Sequence, residues 1–229
     1  MARADAALMG GLPIRRRTSI RARRLSLKLD VASGEIELVI PRGCDARKAD
    51  RFLASNLNWV TARLAELPPR IPFEPGVELP VLDTWLTLRH DARASRVPVR
   101  RNGTLLVGGP RDQVEARVRA WLRETARAEI LLRAQRDARR VGRAIAGLRI
   151  ADPRSRWGSC SPGGVLSFSW RLILAPRAVL DYVVAHESAH LRYLSHGPRF
   201  WTLVRRLDPD YEDARAWLTR DGAQLHRYG

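Results

Sequence analysis

The chain has 229 residues and a net charge of +17, because 41 lysines and arginines outnumber 24 aspartates and glutamates. Cys44 and Cys160 are far apart in sequence and give no disulfide framework, so we expect a reducing compartment. No apolar run reaches the roughly 18 residues of a membrane span, and the N-terminus has no apolar stretch typical of a signal peptide. These features argue against a disulfide-rich secreted protein and against a membrane protein, and they predict a cytoplasmic location.

The first part of the chain predicts a β-rich region with one helix. Residues 18–40 form two predicted strands joined at Ala-Ser-Gly, because leucine and isoleucine alternate with polar residues. Residues 45–66 predict a helix with apolar residues on one side. A proline-rich connection, LPPRIPFEPG, follows. Residues 77–107 then predict short strands with a turn at Asn102-Gly103.

The second part of the chain predicts helices around a few strands. Residues 111–146 predict a long arginine-rich helix or a pair of helices. Residues 148–170 predict a strand, a connection rich in glycine and proline, and a second strand. Pro176 suits the first turn of a helix, whose valines and leucines at helical spacing give it a buried face. Gly197 and Pro198 separate this helix from a second amphipathic helix.

The run HESAHLRYLSH, from His186 to His196, is the most informative part of the sequence. His186 and His190 are four residues apart, so on a helix they face the same side and can bind one metal ion. His196 lies beyond the predicted helix end, and the chain must turn to bring it to the same ion. Glu187 is close enough to accept a proton from a metal-bound water. Three protein ligands leave a fourth position open, as in catalytic zinc sites.

Two other interpretations of these histidines stay open. A pair of histidines on a helix often has no function, although three of the five histidines of the chain fall in this run. A structural zinc site closed by Cys160 is the second interpretation. Structural sites, however, usually contain two or more thiolates and have no use for Glu187. His90 and His226 stand alone in sequence, and we assign them no role.

The strand predicted directly before the zinc helix suggests a substrate-binding edge. If this strand lies at the edge of a sheet above the metal, its free N–H and C=O groups can pair with an extended peptide. A plain β-hairpin without such a role is the alternative.

Three segments of the second part resemble the YgjP-like zinc metallopeptidases of bacteria, and more distantly the SprT-like proteases: WGSC, LILAPRAVLDYVVAHESAH and SHGPRFW. The strong part of the resemblance covers residues 155–217. A weaker part includes RRRTSIRARRLSLKLDVASGEIELVIPRG and NLNWVTARL. The resemblance implies that His186, His190 and His196 bind zinc and that Glu187 is the catalytic acid and base. The family usually has leucine where this chain has Ser188, a difference that affects packing.

The positive charge raises the question of a nucleic-acid partner. Arginines cluster at residues 15–17, 21–24 and 139–143, and a positive surface attracts polyanions without regard to sequence. Some SprT-like proteases act on DNA-bound proteins, so the resemblance agrees with this partner. The same charge fits a solvated surface, because the sequence has no basic and aromatic pattern for base stacking.

We therefore predict an α+β, zincin-like metallopeptidase that hydrolyses proteins or peptides and contacts no membrane. Residues 1–110 form the β-rich N-terminal region, and residues 111–229 form the zinc-bearing domain with an active-site helix and a small sheet. The competing prediction is a basic nucleic-acid-binding protein with a structural zinc ion.

In the predicted mechanism, zinc lowers the pKa of its water and polarises the peptide carbonyl. Glu187 takes the water proton and passes it to the leaving amine. The reaction also needs a donor that stabilises the oxyanion. Arg192, Tyr193 and the loop at residues 156–159 are the candidates.

Overall fold

The computed structural model describes residues 14–30, 34–66 and 69–229. Contacts divide the chain into two compact units, Met1–Pro69 and Arg70–Gly229. This division lies earlier than the boundary that we expected after residue 110. The N-terminal segment that lacks a signal-like stretch, most of the predicted Ala-Ser-Gly connection and the first residues of the proline-rich connection lie outside the described residues.

The first unit is a three-stranded sheet with two helices. Its strands are β1 (Ile14–Ser19), β2 (Ser26–Asp30) and β3 (Glu35–Pro41), and its helices are α1 (Ala46–Ser55) and α2 (Leu57–Ala65). β3 is central, parallel to β1 and antiparallel to β2. Alternate residues of the sheet and one side of each helix share a small core of Ile14, Ile36, Leu38, Ala49, Leu53 and Val60.

Two details of this unit differ from the prediction, and each has a physical reason. Strand β1 is largely charged, so its sequence gives little alternation. Its Arg15 and Arg17 donate hydrogen bonds to Glu37 of β3 at 2.9 and 3.0 Å. The single predicted helix is interrupted at Asn56, whose side-chain amide donates to the Phe52 carbonyl at 2.7 Å. Such local bonds compete with helix continuation.

The second unit contains two small sheets. The strands β4 (Glu78–Val81), β5 (Thr84–His90), β6 (Val99–Arg101) and β7 (Thr104–Val107) form a four-stranded sheet in the order β4-β5-β7-β6. The strands β8 (Gly147–Ala151), β9 (Gly158–Cys160) and β10 (Val165–Ser169) form a three-stranded sheet in the order β8-β10-β9. Strand β10 is therefore central, so the condition for a substrate-binding edge on the strand before the metal-binding helix is not met. The edge strands are β8 and β9, and β9 lies inside the predicted connection.

The helices of the second unit are α3 (Val114–Val141), α4 (Arg177–His190), α5 (Pro198–Leu207) and α6 (Tyr211–Asp221), with 3₁₀ turns at Arg111–Gln113, Trp170–Leu174 and Gly222–Arg227. The predicted arginine-rich segment is one continuous helix, α3, because nothing breaks it before Gly142, which has a φ of 68°. No helix among the described residues is long and apolar enough to cross a membrane. The predicted α+β class is confirmed.

Helix α3 is the central element of the second unit. Its buried residues share one core with both sheets and with α4, which explains why the four-stranded sheet belongs to this unit. Arg133 of α3 is only 6% exposed. Its guanidinium donates to Asp181 of α4 at 2.6 Å and also pairs with Glu129. An arginine with two carboxylate partners ties α3 to the helix that carries the HESAH motif.

We expect Leu122→Ala to destabilise the second unit, because Leu122 is fully buried in α3. Removing a buried leucine side chain costs about 2–5 kcal/mol of unfolding free energy. The matched control is Leu132→Ala in the same helix, where leucine is 67% exposed, and its expected cost is below about 0.5 kcal/mol. Urea unfolding followed by circular dichroism measures both values. Equal losses in the two variants would contradict the described core.

Candidate metal centre

Helix α4 positions two of the three histidines of the motif. Its Val179, Leu180, Val183 and Val184 are buried in the core of the second unit, as the sequence predicts. With that face buried, His186 and His190 project from one side of the last turns of the helix. The imidazole of His190 is oriented by a hydrogen bond from its Nδ1 to the backbone carbonyl of Tyr193, at 2.9 Å. This bond leaves the Nε2 lone pair of His190 free to bind a metal.

The third histidine returns to the first two because the chain turns after α4 and restarts as α5 at Pro198. His196 Nε2 lies 3.1 Å from His186 Nε2 and 3.2 Å from His190 Nε2. The fully buried Phe200 of α5 contacts all three rings, with centroid separations of 4.9, 4.5 and 4.7 Å. Phe200 thus supports the whole cluster. Trp201 of the same helix lies farther from His196, at 5.8 Å.

The histidine cluster has the chemistry of a zinc site. All three ligand nitrogens lie within 4.8 Å of one another. The Nε2–Nε2 distances of 3.1 and 3.2 Å are close to the spacing of nitrogen ligands around a tetrahedral zinc ion. That spacing is roughly 3.3 Å when each nitrogen lies about 2.0–2.1 Å from zinc. Burial, followed by the neighbouring His190 and His196, lowers the pKa of His186 to about 3. The pKa of His190 is also lowered, chiefly by burial. Neutral imidazoles at neutral pH are the form that binds metal.

Cys160 does not join this cluster. Among the described residues, the group that could hold a metal at this place contains His186, His190 and His196 and no thiolate. Burial and the charge of Glu187 raise the pKa of the Cys160 thiol, which keeps it protonated. The geometry therefore disfavours a structural zinc ion closed by Cys160.

Glu187 directly follows His186 in sequence, but its side chain faces strand β9. It is 6% exposed, and burial raises its pKa to about 7, against the opposite effect of the Arg156 charge. A Cβ atom added to Gly158 of β9 would lie 2.6 Å from Glu187 Cγ and 2.7 Å from Oε1. Only glycine at position 158 leaves room for the Glu187 carboxyl group in this position. The sequence placed Gly158 in the loop at residues 156–159, which we considered for stabilising the oxyanion, but it did not indicate this contact with Glu187.

Residues near the C-terminus pack against Trp157, which directly precedes β9. Trp157 stacks on His226 at 5.0 Å, and the indole also lies against Gly222 of the C-terminal turn. His226 is thus a packing residue, and His90 is bonded to the Gly109 carbonyl at 2.7 Å. Ser188 is fully buried, and its hydroxyl has no hydrogen-bond partner among the described residues.

The candidate oxyanion donors differ in their surroundings. Arg192 donates to the Val141 carbonyl at the end of α3, at 3.3 Å. The backbone carbonyl of Tyr193 accepts the hydrogen bond from His190. Arg156 acts electrostatically on Glu187. Of these three residues, Arg156 is therefore the one that interacts electrostatically with the carboxyl group of Glu187.

We expect Gly158→Ala to lower stability, because the added methyl group would overlap the Glu187 carboxyl group. Overpacking of this kind costs about 1–3 kcal/mol. Gly163→Ala in the following turn is the control, since its added Cβ would meet only Ser161 Oγ, at 3.9 Å. Thermal unfolding of both variants measures the difference. A Gly158→Ala protein as stable as the Gly163→Ala protein would contradict the close contact.

Comparisons with known proteins show which family the sequence matches. The sequence model described as YgjP-like, metallopeptidase domain, matches residues 25–221. Among solved structures, the crystal structure of the metallopeptidase zymogen abylysin of Pyrococcus abyssi matches at 20% identity. That match covers 43% of this chain and 97% of abylysin, with a TM-score of 0.37. No curated protein matches the chain. Because the family match spans most of its length, the chain belongs to the YgjP-like family of metallopeptidases.

Proposed function

We propose that this protein is a zinc-dependent peptidase in which His186, His190 and His196 hold the metal and Glu187 is the general base. The convergence of three Nε2 atoms, in a motif whose buried Glu187 directly follows His186 in sequence, is the observation that carries the proposal. Bound zinc supplies Lewis acidity, which polarises the scissile carbonyl and acidifies a neighbouring water. Glu187 stays outside the ligand set, so its carboxylate is free for proton transfer.

The residues around Glu187 support this division of roles. Its carboxyl group is held between α4 and Gly158 of β9, which limits its movement. From there it accepts the proton of the attacking water and donates it to the leaving amine. Arg156 carries a positive charge close enough to affect Glu187, and we propose it as the first candidate for stabilising negative charge that develops on the substrate.

Strand β9 supports binding of an extended substrate. Within the described part of the chain, β9 pairs on one side with β10 and on the other side with no strand. The backbone groups of Trp157 and Ser161, on either side of the short strand, form hydrogen bonds with β10 and its turn. Along an antiparallel strand, residues whose backbone groups face one neighbour alternate with residues whose groups face the other side. The N–H and C=O groups of Gly158 and Cys160 therefore point to the free edge. A peptide paired there would lie beside Glu187.

The competing proposal of a nucleic-acid-binding protein with a structural zinc ion has less support. It requires a fourth protein ligand and leaves the buried Glu187 without a purpose.

Cys44 and Cys160 are free thiols, which agrees with the expected reducing compartment and therefore with a cytoplasmic location.

We expect His196→Ala to lower the affinity for zinc by more than about 100-fold. Even the loss of a residue that only hydrogen-bonds a metal ligand lowers metal affinity roughly 10–100-fold. His196 is exposed, so its removal leaves the core intact. Cys160→Ala is the control and should keep the parental affinity. Competition with a chromogenic chelator measures both. If Cys160→Ala lost zinc while His196→Ala kept it, the proposed ligand set would be wrong.

We expect Glu187→Gln to bind zinc normally but to cleave a fluorescently labelled unfolded protein at least about 100-fold more slowly, because glutamine keeps the shape and removes the base. Glu124→Gln, at an exposed position of α3, is the matched control. Cleavage rates and zinc content are measured on the same preparations. A Glu187→Gln protein as active as the parent would exclude Glu187 as the base.

A further inference from the structure

Three arginines line one cavity next to the metal centre. The cavity has a volume of about 370 Å³ and lies between the end of α3, the turn after α4, and α5. Its lining includes Arg192, Arg199 and Arg206 together with Tyr193 and Thr202. Concave sites of this size accommodate small ligands or single side chains.

None of the three arginines forms an ion pair with a carboxylate in the described ranges. Arg192 donates to the Val141 carbonyl at 3.3 Å, and Arg206 donates to the Arg140 carbonyl at 2.8 Å. These bonds orient two guanidinium groups without neutralising them. The neighbouring Arg205, which does not line the cavity, is by contrast paired with Glu212 at 2.8 Å. The cavity is therefore lined by three arginines that have no carboxylate partner among the described residues.

The cavity adjoins the turn that carries His196. A second cavity, of about 650 Å³, shares Arg192, Tyr193, Pro198 and Arg199 with the first. It is also lined by Ser195 and Gly197, the two chain neighbours of His196. The shared walls connect the arginines to the metal centre. A peptide bound between the arginines could therefore extend along the turn that carries His196.

We propose that Arg192, Arg199 and Arg206 bind a carboxylate of the peptide substrate and so favour acidic substrates, an inference that rests on the proposed peptidase function. The guanidinium fork matches the two oxygens of an Asp or Glu side chain or of a C-terminal carboxylate. A nucleic-acid backbone instead follows an extended basic groove with aromatic side chains for stacking. The observed feature is a single concave site, which fits one carboxylate better than a strand of phosphates.

Binding to an inactive protein tests this proposal without relying on cleavage. Short fluorescent peptides that differ only in Glu or Gln at one position are titrated into zinc-loaded Glu187→Gln protein, and anisotropy gives their Kd values. A second pair of peptides differs only at the C-terminus, where one member has a free carboxylate, the only one in the peptide, and the other has an amide. We expect the acidic member of at least one pair to bind about tenfold more tightly, the effect of one charged hydrogen bond. The pair that discriminates identifies the source of the carboxylate.

Two variants in the same background locate the effect. Arg199→Gln should reduce the discrimination severalfold, and because Arg199 is exposed, this change does not disturb the core. Arg205→Gln, on the same helix, should keep it. Equal binding of both members of each pair would overturn the proposal, even if the parent protein cleaves peptides. Equal peptide binding together with Arg199-dependent binding of a single-stranded oligonucleotide would also overturn it, in favour of a polyanion site. Discrimination without any cleavage by the parent would support the carboxylate site and count against the peptidase function.

Discussion

The site depends on the return of the chain after α4, which brings His196 back to the two histidines of the helix. A helix alone can present His186 and His190, but two imidazoles form only part of a metal site. Pro198 starts a new helix, and Phe200 then packs beneath all three rings. The same turn brings Arg192 and Arg199 to the cavities beside the metal centre. Ligand geometry and the proposed substrate preference thus share one short segment.

A second contact separates the proposed base from the histidine cluster. Glu187 is next to His186 in sequence, but on a helix adjacent residues point in different directions. Its carboxyl group lies against Gly158 of the edge strand and not among the ligand nitrogens. Trp157 and the C-terminal turn support that strand from behind. The far end of the chain is in this way linked to the position of the proposed base.

The sequence predicted the helix faces and the convergence of the histidines better than the sheets. Apolar spacing located α4 and α5, and the spacing of His186, His190 and His196 indicated one site. The order β8-β10-β9 could not be predicted, since β9 has three residues and sits in a segment rich in glycine and proline. Strand β1 was missed because its arginines conceal the alternation. The room that Gly158 leaves for Glu187 is a long-range contact, which local patterns do not encode.

X-ray absorption at the zinc edge of the metal-loaded protein distinguishes an open three-histidine site from a closed structural site, because it reports the elements bound to the metal. We expect histidine nitrogens at roughly 2.0–2.1 Å, one further light atom, and no sulfur. Cys160→Ala should leave the spectrum unchanged. A sulfur neighbour at roughly 2.3 Å that disappears in Cys160→Ala would exclude the proposed ligand set, since zinc would then be a closed structural site.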